Sequence, residues 1–269
     1  MSKTILITGS TDGIGKATAE LLAEAGHKII VHARSDEKGE RIAHEIQQKT
    51  GNTKVKFVTA DFRKLSEVAE MCSELLLKFS KIDVLINNAG VFRQKKNILQ
   101  NKLEETVMVN HLSPFFLTLK LIPLLKNSKQ GRIINVSSMI HASEIDFNKL
   151  QGENFYDGGE TYSASKLCNL LFTNKLADDL KLSNITVNAL HPGVVQTKLL
   201  RAGWGAMGEE PENSAKRFAF LAESEQLKEV TGRYFMNNKQ TNPAPIANQK
   251  YIMDKLWEIS TELISQQGF

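Results

Sequence analysis

Thr4-Ile5-Leu6-Ile7-Thr8-Gly9-Ser10-Thr11-Asp12-Gly13-Ile14-Gly15 decides how the rest of the chain is read. Five apolar or β-branched residues make a strand. They run into glycines spaced GxxxGxG, and a helical pattern at 15–25 follows, closed by Gly26. The alternation then repeats. Short apolar runs at 28–32, 55–59, 84–86, 132–136 and 185–190 read as strands, with helical patterns at 36–50, 65–79, 102–126 and 161–180 among them. Past Pro192 the pattern loosens into a helical excursion at 199–225, a last strand at 231–235 and a terminal helix at 252–265. Strands alternating with helices predict an α/β domain with a parallel sheet and helices on both faces. The strands are nearly continuous apolar runs, as doubly covered strands are.

The expected fold is therefore a Rossmann-type doubly wound sheet of about seven strands. No repeat, low-complexity tract or linker divides the 269 residues, so one domain over 1–269 is expected. A hydrophobic fraction of 41%, 24% charged residues and a net charge of +4 are ordinary for a globular protein. The basic residues are dispersed; Arg93-Gln94-Lys95-Lys96 is the nearest approach to a cluster and reads as a solvated loop, so no nucleic-acid partner is expected. Cys72 and Cys168 lie in helical patterns without metal-ligand spacing and read as reduced core residues of a cytoplasmic protein. Met1-Ser2-Lys3 leads straight into the first strand, and the apolar run at 115–125 is interrupted by Lys120 and Pro123, so no membrane insertion is expected. His111, His141 and His191 lie near the motifs discussed below but lack metal spacing, and read as hydrogen-bonding or packing residues. No metal site is expected.

A glycine turn between a strand and a helix lets the backbone approach a pyrophosphate and aims the helix N-terminus at its charge. Gly9, Ser10, Asp12, Gly13, Ile14 and Gly15 are the candidate contacts. The pattern is not a Walker loop, because Ala17 stands where that motif needs Ser or Thr. At the tip of the second strand, His32-Ala33-Arg34-Ser35 carries no carboxylate for a ribose 2′-hydroxyl. Arg34 and Ser35 suit a 2′-phosphate, which favours NADP(H) over NAD(H); Asp36 reads as the cap of the next helix. Tyr162 and Lys166 in Thr161-Tyr162-Ser163-Ala164-Ser165-Lys166 stand one helical turn apart. An ammonium held there favours the phenolate and makes the tyrosine an acid/base near neutral pH. Ser137 and Ser138 close the fifth strand; adjacent strand residues face opposite sides, so one of the two reaches the site.

Thr8 to Gly15, Asn87-Asn88-Ala89-Gly90, Tyr162-x-x-x-Lys166 and Pro192-Gly193, in this order, resemble the short-chain dehydrogenase/reductase family over essentially the whole chain. The stretch from Tyr162 and the segment Val187-Asn-Ala-Leu-His-Pro-Gly-Val-Val look closest to the retinol-dehydrogenase-like and WW-domain-oxidoreductase-like branch. The resemblance implies a catalytic tetrad of Asn110, Ser138, Tyr162 and Lys166. Tyr162 passes the proton, Ser138 bonds the substrate oxygen, Lys166 lowers the tyrosine pKa and holds ribose hydroxyls, and Asn110 holds a water behind the lysine. It further implies cofactor contacts from Asp61 and Phe62, from Asn88, Ala89 and Gly90, and from Pro192, Gly193, Val195 and Thr197. The activity implied is interconversion of a carbonyl and an alcohol by a homodimer or homotetramer. Substrate-binding loops are expected at about 139–161, with Phe147, Phe155, Tyr156 and a flexible Asp157-Gly158-Gly159, and at about 198–225, with Trp204 as a wall and Gly203 and Gly205 as hinges. Their aromatic content suggests a retinoid-, steroid- or lipid-aldehyde-like substrate. The competing reading is a redox-sensing regulator that binds NADP(H) without turnover.

Overall fold

The computed structural model describes residues 2–151, 157–205 and 207–269. The elements in chain order are β1 (Thr4–Ile7), α1 (Gly13–Glu24), β2 (Lys28–Ala33), α2 (Asp36–Thr50), β3 (Val55–Thr59), α3 (Leu65–Lys78), β4 (Val84–Asn87), α4 (Glu105–Val107), α5 (Ser113–Lys126), β5 (Gly131–Val136), α6 (Gly158–Asp179), β6 (Ile185–His191), α7 (Lys198–Trp204), α8 (Pro211–Glu223), β7 (Arg233–Met236), β8 (Lys239–Thr241) and α9 (Lys250–Ser265). Among the described residues the strands form one sheet, ordered β3-β2-β1-β4-β5-β6-β7-β8. All neighbours are parallel except β7 and β8. The eighth strand exceeds the expected seven. It arises because Asn237 and Asn238 both take positive φ, 48° and 62°, the left-handed pair that a two-residue hairpin loop needs.

Side chains alternate across the strands and feed two apolar layers. Ile5, Ile7, Ile29, Val31, Val84, Ile86 and Ile134 pack with Leu22, Ile42, Ile46 and Phe218 from α1, α2 and α8. Leu6, Ile30, Leu85 and Ile133 point the other way, onto α3, α5, α6 and α9. Both layers are closed by helices, which is why the strands tolerate no alternating polar pattern. The apolar runs of α5 and α6 are buried: Phe115, Leu121, Leu167 and Leu171 are core residues. The helical stretch Glu105–Lys126 is long and apolar enough to cross a membrane by length and composition, yet 78% of its most apolar window is buried in the domain.

Three boundaries differ from the sequence reading, each for a local reason. The helix expected at 102–126 starts at Glu105, because Lys102 sits at φ 65° and Glu104 caps the first turn by accepting from the Thr106 and Val107 amides. That helix also contains a π-helical turn, Met108–Leu112, between α4 and α5. The expanded turn carries Asn110, and such turns recur at functional sites. Asp157-Gly158-Gly159 is not a flexible linker. Asp157 caps α6 through the Gly159 and Glu160 amides, so Tyr162 lies in the second turn of a regular helix. Of the aromatic residues expected in substrate loops, Phe155 and Tyr156 lie outside the described residues, and Phe147 is buried in the core. The excursion at 198–225 divides. Only α7 borders the site, whereas α8 packs its Phe218 into the sheet's other face.

Phe218 is fully buried between α8 and the sheet. Phe218→Ala is expected to lower unfolding free energy by about 3–5 kcal/mol through the cavity it leaves, read by urea denaturation. A loss below about 1 kcal/mol would mean that α8 is a mobile flap and not part of the body.

Candidate active site

The strand order reverses between β1 and β4, so their carboxyl ends diverge and open a crevice. Thr8 stitches the two tips together: its hydroxyl accepts from the Asn88 and Ala89 amides at 2.9 Å each, and Asn88 Nδ2 returns a bond to Thr8 O at 2.8 Å. The turn then passes so close to β4 that a Cβ on Gly9, at φ +64°, would stand 2.8 Å from Ala89 Cα. A Cβ on Gly15 would stand 2.4 Å from Gly9 O. Only glycine permits this approach. A cleft of about 710 Å³ runs from here, lined by Gly9, Asp12, Gly13, Ile14 and Gly15 at the turn.

Ser10 is the one candidate in the turn that does not line the cleft. It is buried, donates to Ile7 O at 2.7 Å and accepts from the His32 amide at 3.0 Å. Thr11 faces the cleft in its place. Asp12 caps α1 through the Gly13 amide and pairs with Lys198 of α7 at 2.6 Å. The Lys198 bond holds its carboxyl below the usual range. Thr197 hydroxyl caps α7 at the Leu200 amide while its methyl sits against Gly13. Pro192, Gly193 and Val195 complete this wall.

At the β2–β3 end of the crevice, His32 takes the Gly9 N–H on Nδ1 at 3.0 Å and meets Ala60 O through Nε2 at 2.9 Å. Its ring stacks on Phe62 at 4.4 Å. Burial pulls its pKa down to about 4, so it stays neutral and keeps that acceptor. Asp61 also lines the cleft, gripped by Arg63 through Nε at 2.8 Å and a second guanidinium nitrogen. Burial raises the Asp61 pKa, and the Arg63 bonds outweigh it, so the net shift is downward. Arg34, Lys38 and Arg63 all border this end. Lys38 and Arg63 escaped the sequence reading, because only folding brings the first turn of α2 and the loop after β3 beside Arg34. Asp36 is not the cap of α2: Ser35 holds that position, and the Asp36 carboxylate accepts from Thr59 at 2.7 Å.

At the other end, β5, α6 and the π-turn bring together Ser138, Tyr162, Lys166 and Asn110. The first three line the cleft. Ser137 and Ser138 both border the cleft, but the Ser137 hydroxyl is spent on Lys166 O at 2.8 Å. Ser138 stands close enough to the Tyr162 phenol to favour its ionised form. Lys166 is fully enclosed; its Nζ donates to Val136 O at 3.0 Å and lies 5.4 Å from the Tyr162 ring centre. Asn110 spends its side chain on the backbone: Oδ1 accepts from Val91 N at 2.8 Å, and Nδ2 donates to Val91 O at 3.0 Å and to Ser165 Oγ at 3.1 Å. Its amide therefore clamps the segment after Gly90 beside the lysine. Phe92 and Trp204 close over the phenol, with ring centres 5.7 and 5.5 Å from Tyr162 and 4.7 Å from each other.

Burial acts in opposite senses on the two titratable groups. It pushes the Tyr162 phenol up to about 12, offset in part by the nearby Ser138 hydroxyl, and pulls the Lys166 ammonium down to about 8. The lowered phenol pKa expected from the sequence is not what the cleft produces by itself, because desolvation of the phenolate prevails. The phenol thus keeps its proton at neutral pH and is poised as a donor. The close-packed glycine cradle, the cationic far end and the enclosed lysine suit a dinucleotide whose nicotinamide lies beside Tyr162. Among the described residues no group of three His, Cys, Asp or Glu is arranged to hold a metal ion.

The chain matches the short chain dehydrogenase family over residues 3–204 and belongs to it. Retinol dehydrogenase 13 of Homo sapiens is 37% identical, the match covering 99% of this chain and 86% of the relative. Retinol dehydrogenase 11 of Homo sapiens is 36% identical over 97% and 86%. Among solved structures, an uncharacterized protein from Mycobacterium Paratuberculosis superposes with a TM-score of 0.81 at 28% identity, over 98% of this chain and 93% of that one. The chain is an NAD(P)-dependent oxidoreductase that acts on alcohol and carbonyl groups.

The buried lysine also sets a stability test. Its folded pKa near 8 lies below the ordinary 10.5. Below pH 8 both states are protonated and the fold bears the whole cost of burying the charge. Between pH 8 and 10.5 the unfolded chain binds the extra proton, so stability rises with pH. Lys166→Met is therefore expected to raise unfolding free energy at pH 7 by on the order of 2 kcal/mol, with the gain shrinking towards pH 10, read by thermal melts. A variant less stable than wild type at pH 7 would refute a desolvated ammonium.

Proposed function

We propose that this chain reduces apolar aldehydes or ketones with NADPH, the reverse oxidation being its slower direction, and that it acts in the cytoplasm as a homodimer or homotetramer. The observation that carries the reading is a protonated Tyr162 under an aromatic roof of Phe92 and Trp204, at the opposite end of one cleft from Arg34, Lys38 and Arg63. The roof suits a flat, apolar carbonyl of the retinoid, steroid or lipid-aldehyde kind. The retinol dehydrogenase names of the relatives point the same way. The cationic end suits a 2′-phosphate, since it offers charge-assisted bonds and holds no unpaired carboxylate.

In this reading the substrate oxygen sits between the Tyr162 and Ser138 hydroxyls, where negative charge develops as the carbonyl is reduced. Ser138 donates to that oxygen and Tyr162 delivers its proton to it. A bound nicotinamide supplies the hydride. The Lys166 ammonium, held on Val136 O, steadies the phenolate left behind. Asn110 keeps the Val91 backbone in place, so that the wall beneath the reacting groups does not drift. Trp204 and Phe92 exclude water from the transfer.

A panel of apolar aldehydes and ketones, followed by NADPH absorbance with NADH as control, tests this directly. Tyr162→Phe is expected to lower kcat by about 10²–10⁴-fold while leaving the NADPH Kd unchanged by fluorescence titration. Retained turnover in that variant would overturn the assigned role. NADPH binding with no turnover of any panel member would instead favour a sensing protein. Replacing both Arg34 and Lys38 by Glu is expected to weaken NADPH by at least about tenfold and NADH far less. Equal losses for both cofactors would sink the proposed preference.

A further inference from the structure

Two histidines near the site take no part in the chemistry described above, and both reach the same peptide bond. β5 ends at Val136, and the last backbone ladder contact beyond it is Ser137 N–H to Leu190 O at 2.9 Å. The peptide joining Ser138 to Met139, two further on, has passed the end of the sheet and needs other partners. His141 Nδ1 lies 2.7 Å from Ser138 O, and His191 Nδ1 lies 3.2 Å from Met139 N. We infer that His141 and His191 are positioning residues that grip the Ser138–Met139 peptide from both sides and thereby fix where the Ser138 hydroxyl meets the substrate oxygen. The inference rests on the reading that Ser138 bonds that oxygen.

The hydrogen-bond partners dictate the protonation of each ring. The Ala244 amide donates to His141 Nε2 at 3.0 Å. An amide N–H has nothing but a proton to offer, so Nε2 is bare and the ring proton sits on Nδ1, aimed at Ser138 O. His191 has the opposite arrangement. Its Nδ1 accepts from the Met139 amide, so its proton sits on Nε2. The first ring donates to the peptide carbonyl and the second accepts from the peptide N–H. Neither serves if its tautomer is exchanged. Burial lowers the His191 pKa to about 4, which keeps that nitrogen bare at physiological pH.

The grip reaches the hydroxyl through a short path. Ser138 Oγ accepts from the Ile140 amide at 3.2 Å, two residues on in the same turn, and stands beside the Tyr162 phenol. A rotation of the held peptide moves both contacts together. The His141 ring is itself braced edge-on by Tyr234 of β7, with ring centres 5.7 Å apart. His191 is the last residue of β6. The clamp thus refers the serine to β6, β7 and the Ala244 segment, beside the tie of the same turn to α6 through Ala142 N–H to Ser163 O at 3.0 Å.

Long-range ¹H–¹⁵N NMR on protein labelled at histidine nitrogens reads the tautomers directly. His141 is expected as the Nδ1–H form, the rarer one in water, and His191 as the Nε2–H form. The opposite tautomer at either ring, or a motionally averaged one, overturns the clamp. In kinetics, His141→Asn places an amide near the Nδ1 position and is expected to keep most of kcat. His141→Gln reaches only the Nε2 position and is expected to lose on the order of 10–100-fold in kcat, with the NADPH Kd unchanged. His191→Asn is expected to retain activity that His191→Phe loses. Equal kcat for the Asn and Gln variants of His141, both folded by thermal melt, overturns the positioning role. If wild type turns over no carbonyl, that failure falls on the proposed reaction, and the tautomers alone then uphold or overturn the clamp.

Discussion

The parallel pairing of β1 with β4, Ile5 opposite Val84, Leu6 opposite Leu85 and Ile7 opposite Ile86, is the constraint from which the rest of the molecule follows. It places two strand tips side by side at the point where the sheet's order reverses. The chain leaving β1 turns one way and the chain leaving β4 the other, and the space between them is the cleft. Closing the tips on each other while keeping that space open demands backbone without side chains. Gly9 meets Ala89 and Gly15 meets Gly9 at distances that no Cβ survives. The glycine turn, Arg34 and Ser138 hang from strand tips, whereas Tyr162 and Lys166 come from α6 and Asn110 from the π-turn. The apolar layers above and below the sheet hold those tips still.

Desolvation does most of the electrostatic work. The same burial that raises the Tyr162 phenol depresses the Lys166 ammonium, and it keeps His32 and His191 neutral so that their bare nitrogens can accept amide protons. A cleft that holds its acid protonated and its cation close to losing a proton pays for this in stability, because charge is buried without a counter-ion. The compensation lies in the core. Asn87 bonds Asn135 and Thr118, and Asn135 bonds Thr173, so β4 and β5 are tied to α5 and α6 by a buried polar chain. That chain sets α6 on the sheet, and with it the height of Tyr162 above Ser138.

The substrate side is built differently. α7 has no buried residues of its own and is attached through Thr197, the Asp12–Lys198 pair and the Gln94 contact to Ala202 O. It lies over the phenol through Trp204, on elements that carry little core, where movement costs least. The dinucleotide end rests on rigid strand tips, and the substrate end on a light cover.

The order and type of nearly every element were legible along the chain, because apolar runs of strand length alternating with helical periods have one stable arrangement. The glycine turn, the Tyr162–Lys166 spacing and Arg34 at a strand tip were legible for the same reason: each is a local pattern whose geometry is contained within one turn or one strand. What no local pattern contains was decided only by folding. The side of β5 on which Ser138 emerges, the π-turn under Asn110, the inward rotation of Ser10 and the approach of Lys38 and Arg63 to Arg34 depend on contacts between residues far apart in sequence. The sign of the phenol's shift belongs here too. Spacing brings the cation near, but burial, a property of the whole packed domain, determines which protonation state prevails.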